Sequence, residues 1–264
     1  MSTILDTIAD YARVRVENDK ASISLEELKE QVAGQSFGRQ PFAFEKALAD
    51  KDLSFICEVK KASPSKGIID EKFDYINIAK AYEDAGAECI SCLTEPKWFL
   101  GSDEIFGNIR NTVATPMIRK DFTVDEYQIY QAKAMGADAV LLICSLMDVA
   151  TLEKYLGLAT DLGLSALVET HDEEEIKMAA SVGAKLIGVN NRNLKDFSVD
   201  FSNAKRLRDL IPADALYVAE SGVSKVEDVK ELRSIGADAV LMGEVLMRAE
   251  DKKDLLSQFR MAAR

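Results

Sequence analysis

The sequence predicts a closed (β/α)8 barrel, the TIM barrel, with an N-terminal helical extension. Four segments that begin with Gly-Ala, at residues 86, 136, 183 and 236, recur about every 50 residues and run into apolar stretches. Four further apolar runs lie midway between them, so a strand is expected about every 25 residues. Eight near-continuous apolar strands separated by helical patterns are typical of a parallel barrel whose strands are buried on both faces.

The eight predicted strands are short and evenly spaced. They lie in FICEVKK (from residue 55), GAECISCLTE (86), PMIRKDF (116), GADAVLLICS (136), LSALVETH (164), GAKLIGVNNR (183), ALYVAESG (215) and GADAVLMGEV (236). The Gly of each Gly-Ala pair is the expected end of the preceding helix, because Gly readily adopts the left-handed conformation found there. An open doubly wound sheet is the competing interpretation, but no G-x-G-x-x-G follows the first strand.

Helical patterns, with apolar residues spaced three and four apart, separate these strands. They cover residues 75–86, 102–112, 125–136, 149–163, 173–183, 202–211 and 226–236, and the pattern at 102–112 is the weakest. Two more helices are predicted at 2–19 and 24–33, whereas residues 41–49 are expected to lead into the first strand. We therefore expect one barrel domain over residues 1–264, with residues 1–50 as an extension packed on it.

Composition and charge exclude several classes of protein. The chain has 264 residues, 47% of them hydrophobic, which suffices for one large core. The formal net charge of −12 argues against nucleic acid or an anionic membrane as a partner. No apolar run reaches the length of a membrane span, and charges within the first apolar stretch argue against a secretory signal.

The four cysteines are expected to be free and buried. Cys89 and Cys92 form a C-x-x-C pattern, which can indicate a redox or metal site. They lie on one predicted strand, however, where residues three apart face opposite sides, and the chain has a single histidine. We therefore predict no disulfide and no metal site, and expect the reducing cytoplasm as the location.

Ionisable residues cluster at the C-terminal ends of the odd-numbered strands, next to apolar runs. These residues are Glu58, Lys60, Arg119, Lys120, Glu169 and Glu220. In a barrel these ends ring one mouth, where the active sites of the fold lie, and opposite charges there offset the cost of desolvation. We expect Glu58, Lys60, Lys120, Glu169 and Glu220 to converge at this mouth; a purely structural salt-bridge cluster is the alternative.

Further candidate residues follow other strands. Ser221–Gly222 and Gly243–Glu244 follow strands seven and eight, where backbone N–H groups of this fold commonly hold a phosphate. Asn190 and Arg192, in NNRN (190–193), end strand six, although Asn is also common in plain turns.

Two aromatic residues and the lone histidine lie in loops of the predicted barrel. Trp98 and Phe99 could form an aromatic wall of the site or pack in the core. His171 is expected at the start of the fifth barrel helix, without a catalytic role.

Seven motifs, taken in order and spacing, resemble the indole-3-glycerol-phosphate synthase family of tryptophan biosynthesis. The motifs are EVKKASPSKG, LTE, IRKDF, LVETHDEEE, GVNNRNL, AESG and MGEVLM, and the resemblance runs from about residue 4 to the C-terminus. Cys57, Cys92 and Trp98 depart from the family's usual residues. Some members are fused to the isomerase of the preceding step, whereas this chain holds one barrel and is expected to be monofunctional.

The resemblance implies a cofactor-free carboxy-lyase reaction on a small phosphorylated substrate. The substrate, 1-(2-carboxyphenylamino)-1-deoxyribulose 5-phosphate, closes its indole ring with loss of CO2 and water. The resemblance also implies that residues 1–50 partly cover the mouth. We expect a monomer with at most weak self-association.

The resemblance assigns the proton donor and acceptor. Lys120 is the general acid, and Arg119 or partial burial is expected to lower its pKa. Glu169 stabilises a cationic intermediate or accepts the proton whose loss restores aromaticity.

The resemblance also assigns residues that bind and orient the substrate. Lys60, oriented by Glu58 and close to Ser63, pairs with the substrate's carboxylate or phosphate. The alternative role of Glu58 is a share in the proton transfers. Asn190 and Glu220 position the hydroxyl and amine groups. Phe122, Leu93 and Phe99 form the slot for the aromatic ring.

Two other classes of function stay open from the sequence. One is a Schiff-base aldolase in which Lys120 is the nucleophile. The other is a non-catalytic barrel that binds a phosphorylated ligand. The fold alone does not separate them, because this barrel supports many chemistries.

Overall fold

A computed structural model of the chain describes residues 3–34, 38–49, 53–192, 198–200 and 202–263. Eight parallel strands form a closed barrel in which each strand pairs with its neighbours in sequence and the last pairs with the first. Helices lie between the strands. The predicted (β/α)8 barrel with an N-terminal helical extension is therefore confirmed.

The barrel strands match the eight predicted runs. They are β1 (Ser54–Val59), β2 (Cys89–Leu93), β3 (Met117–Lys120), β4 (Ala139–Ile143), β5 (Ser165–Thr170), β6 (Leu186–Asn190), β7 (Leu216–Glu220) and β8 (Ala239–Met242). A two-stranded antiparallel hairpin, Ala62–Ser63 with Gly67–Ile68, lies in the loop after β1.

Twelve α-helices occur within the described ranges. They are α1 (Ile4–Ser22), α2 (Leu25–Gly34), α3 (Ala43–Leu48), α4 (Tyr75–Asp84), α5 (Asp103–Arg110), α6 (Glu126–Ala134), α7 (Val149–Asp161), α8 (Glu173–Ser181), α9 (Ser202–Leu207), α10 (Val226–Ser234), α11 (Glu244–Arg248) and α12 (Lys252–Ala263). Helices α4 to α10 each connect two successive strands, as predicted. No helix among the described residues is long and apolar enough to cross a membrane.

Alternation along the strands separates two hydrophobic layers. Ile56 and Cys89 belong to the cluster inside the barrel, whereas Cys57 and Cys92 belong to the layer between the strands and the helices. Cys89 and Cys92 therefore face opposite sides, as the spacing predicted. All four cysteines are buried and free.

The repeated Gly-Ala segments fix both ends of a helix–strand unit. Their glycines, Gly86, Gly136, Gly183 and Gly236, have φ between 75° and 78°, the left-handed conformation expected where a helix ends. In three of the four segments the next residue is acidic and accepts the backbone N–H at the start of a neighbouring strand. The contacts are Glu88 to Phe55 (2.9 Å), Asp138 to Met117 (2.8 Å) and Asp238 to Tyr217 (2.7 Å).

The N-terminal extension differs from the prediction in one element. Residues 41–49 do not simply lead into β1, because Ala43–Leu48 form helix α3. Phe44 and Leu48 are fully buried and join the apolar cluster inside the barrel, so α3 closes the barrel at the end where the strands begin. The prediction missed it because six residues carry too little helical periodicity to detect.

Candidate active site

A cavity of about 680 Å³ opens at the C-terminal ends of the strands. All the site residues predicted from the sequence lie on its wall: Glu58, Lys60, Ser63, Leu93, Phe99, Lys120, Phe122, Glu169, Asn190, Arg192, Glu220, Ser221, Gly222, Gly243 and Glu244. Asn193, the last residue of the NNRN motif, lies outside the described residues.

The charges of the first strand point into the cavity because alternate residues of a strand share a face. Glu58 and Lys60 lie two residues apart and form an ion pair with each other. Gly243 makes room for this pair: a Cβ atom there would lie 2.2 Å from the Glu58 carboxylate and 3.0 Å from the Lys60 ammonium. A glycine is therefore required at the end of β8 for the pair to form as observed.

Lys120 lies between two carboxylates that come from different strands. Its Nζ is 2.6 Å from Glu220 Oε2 and 3.0 Å from Glu169 Oε2. The other oxygen of Glu169 accepts a hydrogen bond from the Asn190 amide at 3.1 Å. Four strands thus contribute one hydrogen-bonded group of two acids, one ammonium and one amide.

The two carboxylates have opposite pKa shifts. Burial raises the pKa of Glu220 to about 7, and the charge of Glu169 adds to the effect although Lys120 opposes it. Burial would also raise the pKa of Glu169, but Lys120, His171 and the Asn190 amide together lower it to about 2. At neutral pH Glu169 is therefore ionised, while Glu220 can hold or release a proton.

The predicted lowering of the Lys120 pKa is wrong. Burial does oppose the charged form of Lys120, but Glu220, Glu169 and Glu58 outweigh it and hold its pKa above the usual range. Arg119 instead lies on the opposite face of β3. There its guanidinium bonds to Asp103 at 2.9 Å and to Gln131 at 2.9 Å.

A second glycine creates space for Glu220. A Cβ atom on Gly188, in β6, would lie 2.1 Å from Glu220 Oε1. That oxygen is buried and has no hydrogen-bond partner among the described residues. The lack of a side chain at position 188 therefore lets the Glu220 carboxylate reach Lys120.

The loops after β7 and β8 present backbone groups to the cavity. Ser221 and Gly222 have φ of 64° and 100°, and the Asn191 amide donates to the Ser221 carbonyl at 3.0 Å. Gly243 precedes α11, whose Glu244 carboxylate turns toward Arg248 at 3.1 Å. Gly222 and Gly243 line the cavity and have no side chain, so their main-chain atoms form this part of the wall.

Aromatic and aliphatic side chains line one wall. The rings of Phe99 and Phe122 lie 6.2 Å apart, centroid to centroid. The buried Glu95 carboxylate accepts three backbone N–H groups, including that of Phe99 at 2.9 Å, and so fixes this loop. Trp98 is not among the cavity-lining residues; its ring packs edge-on against Tyr11 at 5.5 Å.

The sequence did not identify several residues at the site. Ile4, Leu5 and Ile8 of α1 line the cavity, and no motif indicated which helix face would do so. His171 does lie at the start of α8, as predicted, but its Nε2 is also 3.5 Å from Glu169 Oε1. Its position directly after β5 indicated the mouth of the barrel, but not the contact with Glu169.

Within the part of the chain that the structure describes, no group of three or more His, Cys, Asp or Glu residues could hold a metal ion.

Comparison with known proteins assigns the family. The family model for indole-3-glycerol phosphate synthase matches residues 5–259. The chain belongs to this family. The indole-3-glycerol phosphate synthase of Ruminiclostridium cellulolyticum is 54% identical over 260 residues, which cover 98% of this chain and 100% of the relative. That of Leuconostoc mesenteroides subsp. mesenteroides is 48% identical over 243 residues, covering 91% and 92%. The family expected from the motifs is confirmed, and with it a carboxy-lyase of tryptophan biosynthesis.

Solved structures support the fold. The 3-hexulose-6-phosphate synthase of Salmonella typhimurium superposes with a TM-score of 0.65 at 13% identity, covering 80% of this chain and 98% of that one. The thiamine phosphate pyrophosphorylase of Pyrococcus furiosus gives 0.60 at 17%, covering 80% and 95%. At these identities the likeness concerns the barrel architecture alone.

Proposed function

We propose that the chain closes the indole ring of 1-(2-carboxyphenylamino)-1-deoxyribulose 5-phosphate through the proton chemistry of Lys120 and its two carboxylates. The observation that carries this proposal is the Lys120 ammonium, which is held between Glu169 and Glu220 inside the cavity. An ammonium in this position can donate a proton to a ketone oxygen, and a carboxylate beside it can receive one.

In the first step the ring carbon that bears the carboxylate attacks the ketone carbon. The new carbon–carbon bond pushes the carbonyl electrons onto oxygen, which takes a proton from Lys120. Glu220, with its pKa near 7, can return a proton to the Lys120 amine. CO2 then departs, and its bonding electrons restore the benzene ring.

In the second step the new hydroxyl group leaves as water. The nitrogen lone pair assists the departure of the hydroxyl, which gives a cationic intermediate. The Lys120 ammonium supplies the proton that the leaving hydroxyl needs. Glu169, ionised at neutral pH, stabilises this cation and accepts the proton whose loss completes the indole. Asn190 holds Glu169 in place and contacts a substrate hydroxyl.

The substrate's two anions need separate binding sites. Lys60, paired with Glu58 and near Ser63, is the proposed partner of the carboxylate, and Arg192 adds a positive charge to the same cavity. The backbone of Ser221–Gly222 and of Gly243–Glu244 is the proposed site of the phosphate. Phe99, Phe122 and Leu93 then enclose the aromatic ring.

The aldolase alternative requires a neutral lysine amine, since only the free amine attacks a carbonyl. The carboxylates around Lys120 favour its charged form instead, so the geometry supports a proton donor. Borohydride in the presence of a keto-sugar phosphate is therefore expected to trap no covalent adduct on Lys120.

We further propose one domain over residues 1–264, in which residues 1–50 pack on the barrel. The burial of Phe44 and Leu48 in the barrel's inner cluster supports this arrangement. We also propose a monomer in the cytoplasm that binds neither nucleic acid nor membrane. The net charge of −12 and the four buried free cysteines support these assignments.

The activity is tested by supplying the carboxyphenylamino-deoxyribulose phosphate to the purified chain, with a chelator and no added cofactor. We expect indole fluorescence to rise together with release of one CO2 per indole formed. If product formed only after a metal or cofactor was added back, the proposal of a cofactor-free reaction would be contradicted. Aldol cleavage of the substrate would instead support the Schiff-base aldolase.

A further inference from the structure

His171 lies beside the proposed proton acceptor and has no role in the mechanism above. It is the first residue after β5, and Asp172 behind it caps α8. Its Nε2 atom lies 3.5 Å from Glu169 Oε1. The side chain of His171 is 18% exposed and that of Glu169 is 5% exposed.

The second ring nitrogen has a partner on the next helix. His171 Nδ1 lies 3.1 Å from Glu175 Oε2, and the same oxygen accepts the backbone N–H of His171 at 2.8 Å. Two contacts to one carboxylate oxygen fix the ring relative to α8. Helix α9 also holds this segment, since Asn203 donates to the His171 carbonyl at 3.2 Å.

The nitrogen that faces Glu169 is unsatisfied. Nε2 is buried and has no hydrogen-bond partner among the described residues. Glu169 Oε1 accepts one hydrogen bond, from Asn190, and can accept a second. The 3.5 Å between Nε2 and Glu169 Oε1 needs to shorten only slightly to become a hydrogen bond. Hydrogen bonds in active sites often shorten in this way when substrate binds.

We propose that His171 is a positioning residue that orients the Glu169 carboxylate through Nε2–H and is itself oriented by Glu175. This inference rests on the proposed role of Glu169 as proton acceptor. With Oε1 held by Asn190 and His171, Oε2 is left to face Lys120 and the substrate.

The charges around the ring support this arrangement. The charges of three carboxylates favour the protonated form of His171: Glu169 on β5, Glu175 on α8 and Glu220 on β7. Burial favours the neutral imidazole, but these carboxylates outweigh it and raise the pKa of His171. The protonated ring carries an N–H on both nitrogens, which both contacts require.

Because His171 is the single histidine of the chain, its titration can be followed without ambiguity in an untagged protein. The imidazole resonances are recorded by NMR between pH 5 and pH 9. We expect the His171 pKa to fall in Glu169→Gln and in Glu175→Gln, since each change removes a facing carboxylate. Glu174→Gln, an exposed neighbour on the same helix, is the control and should leave the pKa unchanged. An unchanged His171 pKa in Glu169→Gln would overturn the proposal.

Kinetics test the positioning role itself. His171→Leu should lower kcat about tenfold or more with KM changed less than twofold, since misplacing a catalytic group by about 1 Å can cost about 100-fold. The acidic limb of its kcat profile should move to higher pH, because Glu169 loses a cation that lowers its pKa. His171→Gln, which keeps a side-chain N–H, should recover part of kcat.

The failure of this inference is distinguishable from failure of the proposed function. If Glu169→Gln is fully active, Glu169 is not the acceptor, whatever the NMR titration shows. If Glu169→Gln is inactive but folded His171→Leu keeps the wild-type kcat and pH profile, only the role of His171 is refuted.

Discussion

Lys120 shows that the role of a charged residue depends on which face of a strand it occupies. Lys120 and Arg119 are adjacent in sequence, yet the first enters the cavity and the second lies under the helices. The expectation that Arg119 would lower the Lys120 pKa ignored the alternation of the strand. The same alternation, applied to Glu58 and Lys60, correctly brought both side chains into the cavity.

Replacement of Lys120 tests the proton donor. Lys120→Ala should lower kcat by about 10²–10⁴-fold or more, since it removes a general acid. Steady-state fluorescence kinetics measure the effect, and circular dichroism establishes that the variant is folded. Lys177→Ala removes an exposed lysine that pairs with Glu173 and should leave kcat unchanged. A Lys120→Ala enzyme with near-normal turnover would remove this residue from the acid role.

Replacement of Gly188 tests whether turnover depends on the position of the Glu220 carboxylate. Gly188→Ala puts a methyl group 2.1 Å from the observed position of Glu220 Oε1, so the carboxylate must move away from Lys120. We expect kcat to fall at least tenfold and stability to fall by about 1–3 kcal/mol. Both are measured on the same preparation, by kinetics and by urea unfolding.

A matched glycine and a second variant complete this test. Gly157 lies inside α7 with nothing within 4 Å of the added methyl, so Gly157→Ala should stabilise the fold by about 0.5–1 kcal/mol. Adding Glu220→Asp, which is one methylene shorter, to Gly188→Ala should recover stability but not the rate. A fully active Gly188→Ala enzyme would show that Glu220 need not touch Lys120.

At the scale of elements, the eight strands and seven connecting helices followed from the sequence because their patterns are long and repeated. Helix α3 did not, since it is six residues long and follows Phe42, whose φ of 57° is unusual for a non-glycine residue. The contact of His171 with Glu169 could not be predicted from the sequence either, because it depends on the side-chain torsions of a residue that follows the strand. Periodicity predicts faces, but it does not predict side-chain torsions beyond a strand's last residue.

The acidic residues of the Gly-Ala repeats are expected to stabilise strand ends. Asp238→Ala leaves the Tyr217 N–H without its acceptor and should cost about 1–2 kcal/mol, measured by urea unfolding. The activity should not change, because Asp238 precedes β8 and lies at the end of the barrel away from the cavity. Lys185→Ala, in the repeat that has no acid, breaks only an exposed pair with Asp214 and should cost less than about 0.5 kcal/mol. Equal losses in the two variants would contradict the assigned function of the repeat.

At the scale of the whole molecule, helix α1 connects the extension to the active site. Arg15 makes two hydrogen bonds to Asp121, at 2.7 and 3.1 Å, and Asp121 directly follows Lys120. The Asp121 side chain is only 2% exposed, so this pair is shielded from water. On the same helix, Ile4, Leu5 and Ile8 form part of the cavity wall.

Loss of this pair should affect stability and substrate binding together. Arg15→Ala leaves a buried carboxylate with weaker compensation and should cost about 3 kcal/mol. KM should rise several-fold, because α1 is released from the mouth and its apolar side chains no longer enclose the substrate. Arg13→Ala removes an exposed partner of Asp10 on the same helix and is the control. An unchanged KM in a destabilised Arg15→Ala enzyme would show that α1 plays no part in binding.

The paired state of Lys60 and Lys120 has a consequence for selectivity. Lys60 is already paired with Glu58, and Lys120 with Glu169 and Glu220, so neither of these two ammonium groups offers an uncompensated positive charge to an incoming anion. The substrate's carboxylate must therefore compete with Glu58 for the Lys60 ammonium, whereas its phosphate can bind the proposed backbone site after β7 and β8 without displacing an acid. A metabolite that has the phosphate but no carboxylate would leave the Glu58–Lys60 pair intact, so selective binding requires both anionic groups of the substrate.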